Sequence, residues 1–155
     1  MTFFNQIIPS GINVSQSTLT APSSIAVNQL MPCTSITHTG LSVNASGQLV
    51  LSAGYAFILT GSFYIEENSG TSSMEASWYD ATNTTAIGTR LSVSLSISSL
   101  SGPRGSCFRA LVIPSVSTTI EARITSIFGT LSDVNTNTLA DYAGTAWYSV
   151  LSFAV

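Results

Sequence analysis

The chain has 155 residues, a length that suggests one domain, and a compact fold of that size buries roughly 68–70% of its unfolded surface. Only 7% of its residues are charged and none is lysine, the positive charges being Arg90, Arg104, Arg109 and Arg123; with a pI near 4.7 and no basic cluster, nothing is present to neutralise a run of phosphates, which argues against a nucleic-acid partner. Mean hydropathy is +0.40, yet every apolar stretch is interrupted by Ser, Thr, Gly or Asn, so no membrane-spanning helix is expected.

Residues 1–32 differ from the rest. Pro9, Gly11, Pro22 and Pro32 punctuate them and Ser and Thr fill the gaps, the composition of an extended arm poorly suited to a central strand. The opening MTFFNQIIPSG has neither the positive n-region nor the apolar core of a signal peptide. Synthesis in the cytoplasm is therefore expected, without the export signal that a membrane β-barrel would need. Phe3, Phe4, Ile7, Ile8, Ile12 and Val14 make this arm apolar. Such an arm either docks on a partner or packs back on its own domain.

From Cys33 onward, short strands alternate with turns. Strands are predicted over 34–38, 41–43, 49–52, 55–65, 74–79, 90–100, 106–113, 117–127 and 145–153, separated by clusters of Gly, Asn, Asp, Pro and Ser. Two stretches stand out. Residues 55–65, Tyr-Ala-Phe-Ile-Leu-Thr-Gly-Ser-Phe-Tyr-Ile, are uncharged and apolar on both faces; Gly61 and Ser62 in the middle and the aromatic content favour a strand over a helix. Residues 90–100 instead alternate, with Leu91, Val93, Leu95 and Ile97 separated by serines, the pattern of a strand with one buried face. No amphipathic helix is evident. So many short strands at this spacing imply an all-β antiparallel sandwich or jelly roll over residues 33–155. A strand apolar on both faces must be covered on both, once by the core and once by either more of this chain or a neighbouring copy, of which the neighbouring copy is the expected one.

Three pieces carry a family resemblance. Leu49–Phe57, LVLSAGYAF, is similar to the approach into a central inner strand. Ala76–Gly88, ASWYDATNTTAIG, looks like a strand, an Asp-x-Thr-Asn turn and an Ile-Gly continuation. Ala146–Phe153, AWYSVLSF, is similar to a C-terminal strand that lies beside the central one. In their order and spacing they resemble the tumour-necrosis-factor and complement globular-head superfamily of trimeric jelly rolls, in the form found in bacteriophage virion proteins. The resemblance spans roughly residues 34–154 and does not include the arm. It implies a homotrimer with the inner sheets around a three-fold axis. Tyr55, Phe57, Phe63, Tyr64, Trp147 and Tyr148 are the expected interface anchors, since buried aromatics dominate interface energetics.

Little else in the sequence carries chemistry. His38 is the only histidine, with no nucleophile-elbow sequence to accompany it, and reads as structural. Cys33 and Cys107, in a chain without a secretory signal, are expected as free thiols. Glu66 and Glu67 are adjacent, so on a strand they would point to opposite faces; they read as a solvated turn. Asp133, Asn135, Asn137 and Asp141 imitate the start of a calcium loop, but Thr138 stands where that loop needs Gly and Gly144 where it needs Glu. No cofactor, metal or catalytic residue is expected.

Three functions compete. A capsid decoration (cement) protein on the outer surface of a phage head fits a one-domain chain with a short apolar arm; its partners are its own copies and the major capsid protein, with Phe3, Phe4, Ile7 and Ile8 as attachment points. A fibre or spike tip binding a host receptor or glycan is the alternative, but would ordinarily carry a shaft in the same chain. An enzyme on a jelly-roll scaffold has no residues to support it.

Overall fold

The computed structural model describes residues 12–19, 26–62, 71–96, 107–128 and 147–155. Among them every regular element is a strand: β1 (Asn13–Thr18), β2 (Leu30–Met31), β3 (Leu41–Val43), β4 (Leu49–Leu51), β5 (Tyr55–Ser62), β6 (Thr71–Asp80), β7 (Thr85–Ser96), β8 (Phe108–Val112), β9 (Thr118–Phe128) and β10 (Trp147–Ala154). They join antiparallel in the order β1-β10-β5-β8-β7-β6-β9-β4-β3, with β2 added to β9. The all-β antiparallel class read from the sequence is thus the class observed.

The sheet curls at β7. That strand pairs along its length with β6 and, at Thr89, with Arg109 of β8. The switch occurs at an irregularity: Ala76 faces Leu91 and Trp78 faces Ile87, so residues 88–90 stand opposite Ser77 alone. Gly88 makes this possible. It has φ +73°, and a Cβ there would sit 1.9 Å from the Arg109 carbonyl oxygen. Only glycine tolerates both the left-handed backbone and so close an approach.

The curl creates two halves, β1-β10-β5-β8 and β6-β9-β4-β3 with β2, that enclose one core. Phe57, Leu59, Phe108, Tyr148 and Val150 come from the first half; Leu49, Leu51, Trp78, Ile120 and Ile124 come from the second. Each fully buried Leu, Ile or Phe contributes roughly 1.5–3 kcal/mol. The Trp78 and Phe108 rings meet across the halves at a centroid distance of 5.2 Å. Gly61 of β5 makes room for that ring, since a Cβ there would lie 2.3 Å from Phe108 Cζ.

The turns follow their side chains. Asp80 Oδ1 accepts from the Thr82 and Asn83 amides at 2.9 Å each, and Oδ2 from Asn83 Nδ2 at 2.8 Å. This closes the β6–β7 hairpin that Asp80-Ala-Thr-Asn announced in the sequence. Asn44 Oδ1 likewise accepts from the Ser46 and Gln48 amides, both at 3.0 Å, between β3 and β4.

Two segments depart from the sequence reading. Asn13–Thr18 and Leu30–Met31, placed by sequence in an arm over residues 1–32, are strands of the sheet, paired with β10 and β9. The prolines and Gly11 flank β1 without entering it, and β1 takes an edge of the sheet order, where broken flanks are tolerated. Conversely, Thr34–His38 is not a strand. It runs beside β1, joined by the Thr34 amide to the Thr18 carbonyl at 3.0 Å and otherwise through side chains: Ser15 Oγ donates to the Thr37 carbonyl at 3.0 Å and Thr34 Oγ1 to the Thr18 carbonyl at 2.9 Å. Ser and Thr hydroxyls have replaced part of the backbone ladder.

Candidate functional site

Strand alternation gives the first half an inward and an outward face. On the outward face, the register aligns Val14, Leu151, Ile58 and Leu111 in a single row across β1, β10, β5 and β8. Val14 is 65%, Ile58 41% and Leu111 63% exposed, with Leu151 half-buried between them. Phe153 pairs with Ala56 one row nearer the end of the sandwich. Ile12 and Ile113 adjoin that second row just outside β1 and β8. On the other side lies the row Gln16, Ser149, Thr60 and Arg109. The face is therefore apolar over two rows and polar over the third, with Arg109 the only charged residue in these three rows. Soluble chains seldom leave such a contiguous apolar surface uncovered.

Of the predicted anchors, Phe57, Tyr148 and Tyr55 lie outside this row. Phe57 and Tyr148 face inward and are wholly buried, so their rings are covered by the chain itself and have no surface left for a neighbour. Tyr55 is half-buried at the start of β5, its ring 6.0 Å from that of Phe57. It also fills the space over Gly40, where a Cβ would come within 2.6 Å. Trp147 pairs through its backbone with Ser62 and Thr18, and its side chain lies outside the description. Phe63, Tyr64 and the arm residues Phe3, Phe4, Ile7 and Ile8 fall outside the described residues. Sequence reasoning missed Ile58, Leu111, Leu151 and Val14 as the surface row. Period two sets Ile58 on the face opposite Phe57 and Leu59, but only the fold says which of the two faces is outward.

Behind this face, polar groups tie β1 and β10 to the segment after Cys33. The Tyr148 hydroxyl donates to the Thr34 carbonyl, and burial holds its phenol well above the usual tyrosine range. His38 is buried, with Nε2 2.9 Å from Ser152 Oγ and Nδ1 3.1 Å from Ser15 Oγ. Its pKa is lowered by that burial. A serine stands where a carboxylate would orient a catalytic base, and Ser152 is itself wholly buried. The constellation is a structural clasp.

On the outward face of the second half, Gln48 Nε2 donates to Glu121 Oε2 at 2.6 Å, and Arg123 pairs with Glu121. The Arg123 guanidinium stacks 4.0 Å from the Tyr79 ring centroid. This cluster joins β9 to β6 and to Gln48 beside β4, its charges spent on one another. Among the described residues no three His, Cys, Asp or Glu side chains gather to hold a metal, and no helix is long and apolar enough to cross a membrane. Glu66, Glu67, Asp133, Asn135, Asn137 and Asp141 lie outside those residues. Cys33 is buried and Cys107 half-buried, both free thiols.

No protein-family model matches the chain. No curated protein matches it either.

Proposed function

We propose that the chain is a structural virion protein, a jelly roll that assembles as a homotrimer and decorates the outside of a bacteriophage head by binding the major capsid protein. The observation that carries this reading is the apolar row Val14, Leu151, Ile58 and Leu111 on an outward face. A surface of that chemistry is suited to burial against copies of itself, without like-charge repulsion to overcome. The strand order supports it: β10 lies beside β5, the arrangement that the resemblance implies for the C-terminal and central strands. Ala76–Gly88 forms a strand, a turn and a continuing strand, as that resemblance also implies. The core of Trp78, Phe108, Phe57 and Tyr148 supplies rigidity, which suits a mechanical role in which binding energy clamps neighbouring capsid subunits.

Sedimentation of the purified full chain tests the assembly. A particle of about three times the 16.2 kDa chain mass is expected at micromolar concentration, and a stable monomer would remove the trimer. Incubation with phage heads lacking the protein, followed by imaging, tests the decoration. Regular added density on the shell is expected. A trimer that ignores heads but binds host cells or glycans would replace this reading with that of a fibre tip.

A further inference from the structure

Three segments meet at His38. β1 is paired with β10 and lies at the edge of the sheet order, and residues 34–39 run beside it. Asn13 Nδ2 donates to Thr39 Oγ1 at 2.9 Å and Ser15 Oγ to the Thr37 carbonyl at 3.0 Å. Between these two links the His38 ring reaches Ser15 of β1 through Nδ1, at 3.1 Å, and Ser152 of β10 through Nε2, at 2.9 Å.

The hydroxyls fix where the ring carries its hydrogen. Ser15 has one hydroxyl hydrogen and gives it to the Thr37 carbonyl, so Nδ1 is protonated and donates to Ser15 Oγ. The neutral ring then accepts at Nε2, from Ser152 Oγ. A second proton, on Nε2, reverses that bond: Nε2 donates, and the Ser152 hydrogen turns to the Thr39 carbonyl, 3.5 Å away. The new charge meets no counter-charge among the described residues. β1, β10 and residues 33–41 contain no Asp, Glu, Lys or Arg, and their other titratable groups are Cys33 and Tyr148. β5, whose Phe57 stands opposite Ser152, adds only Tyr55. Arg109 of β8, a further strand away, has the same sign. His38 is 8% and Ser152 0% exposed, so an imidazolium there is a buried, unpaired charge.

The strand least able to resist that charge is β1. Its six residues alternate half-buried and exposed, and none is buried. An edge strand that buries so little opens at lower cost than the core strands. We propose that His38 is a proton-operated latch on this edge: in acid its ring leaves the gap between Ser15 and Ser152, residues 34–39 part from β1, and β1 comes away from β10 while the core stays folded. The burial that lowers the His38 pKa sets the sign, since the open form takes up the proton more readily than the closed one. Val14 lies between Asn13 and Ser15, so opening also takes Val14 out of the apolar row. The latch itself is independent of how copies assemble.

Amide hydrogen exchange of the full chain, corrected for the intrinsic pH dependence of exchange, tests the latch. An NMR titration of His38, the only histidine, runs beside it. The β1 opening constant is expected to rise as pH is lowered through the ordinary 6.5 of a free histidine, by at most about tenfold per pH unit for a single proton. It should level off below the pH at which His38 titrates in the folded protein, with the β9 amides still protected. His38→Gln is expected to make β1 protection independent of pH over that range; the comparison of β1 with β9 in the wild type decides the matter even where that variant fails to fold. β1 protection that stays constant through the His38 titration, or that is lost together with that of β9, overturns the latch. So does an unchanged β1 response in folded His38→Gln.

Discussion

His38 Nε2 lies 2.9 Å from the Ser152 hydroxyl, joining the segment after Cys33 to the last strand. Burial lowers the His38 pKa from its ordinary 6.5, so as pH falls the unfolded chain takes up the proton first. The stability this clasp contributes is full above the unfolded pKa and drains as pH falls through the folded one. The melting temperature is expected to drop as pH is lowered through the ordinary 6.5 of a free histidine and below it, and His38→Asn to flatten that part of the profile while lowering stability at neutral pH. Parallel profiles for the two proteins would show that His38 is not the group responsible.

Gly61 and Phe108 share one volume. A methyl at residue 61 would press into a ring already packed on Trp78. Gly61→Ala is expected to cost about 1–3 kcal/mol through overpacking, a fall of several degrees in melting temperature. Adding Phe108→Leu should recover part of the loss, because the smaller side chain vacates the contested space. Additive losses in the double variant would mean that the two residues do not compete.

Neighbouring residues of β5 should separate folding from assembly. Phe57 is core and Ile58 is surface. Phe57→Ala is expected to destabilise the fold by about 3–5 kcal/mol. Ile58→Glu should leave the circular dichroism spectrum intact while reducing the sedimented mass to that of one chain. Should Ile58→Glu remain a trimer, the outward face is not the contact between copies.

The two thiols differ in burial and therefore in chemistry. Burial pushes the Cys33 thiol up to about 12, leaving almost no reactive thiolate near neutral pH. Cys107 is half-buried. Iodoacetamide is expected to label Cys107 in the native protein and Cys33 only after denaturation, with mass spectrometry locating each adduct. Native labelling of Cys33 would mean that the segment around it opens readily.

The sequence by itself determined the class of fold and most of its strands. Period-two alternation, β-branched and aromatic runs, and the Asp80 and Asn44 turns are local signals, and each is satisfied within a few residues of where it is written. Gly61 was legible as a mark of a strand; that it makes room for Phe108 was not, because the ring arrives from a strand far along the chain. The same limit explains the surface. Tyr55–Ser62 is apolar on both faces, and a one-dimensional pattern has no means of saying which face meets the core. The larger aromatics Phe57 and Tyr148 looked like anchors for a neighbour. The tertiary structure turned them inward, because burying the largest rings against Trp78 and its surroundings removes the most apolar area from water. The smaller Ile58, Leu111, Leu151 and Val14 were left on the outside, and only the pairing register brought four residues from four distant segments into one row. The β1 strand shows the same division: the prolines and Gly11 that flank it told of an interrupted segment, while its place on the edge of β10 depended on a partner more than a hundred residues away.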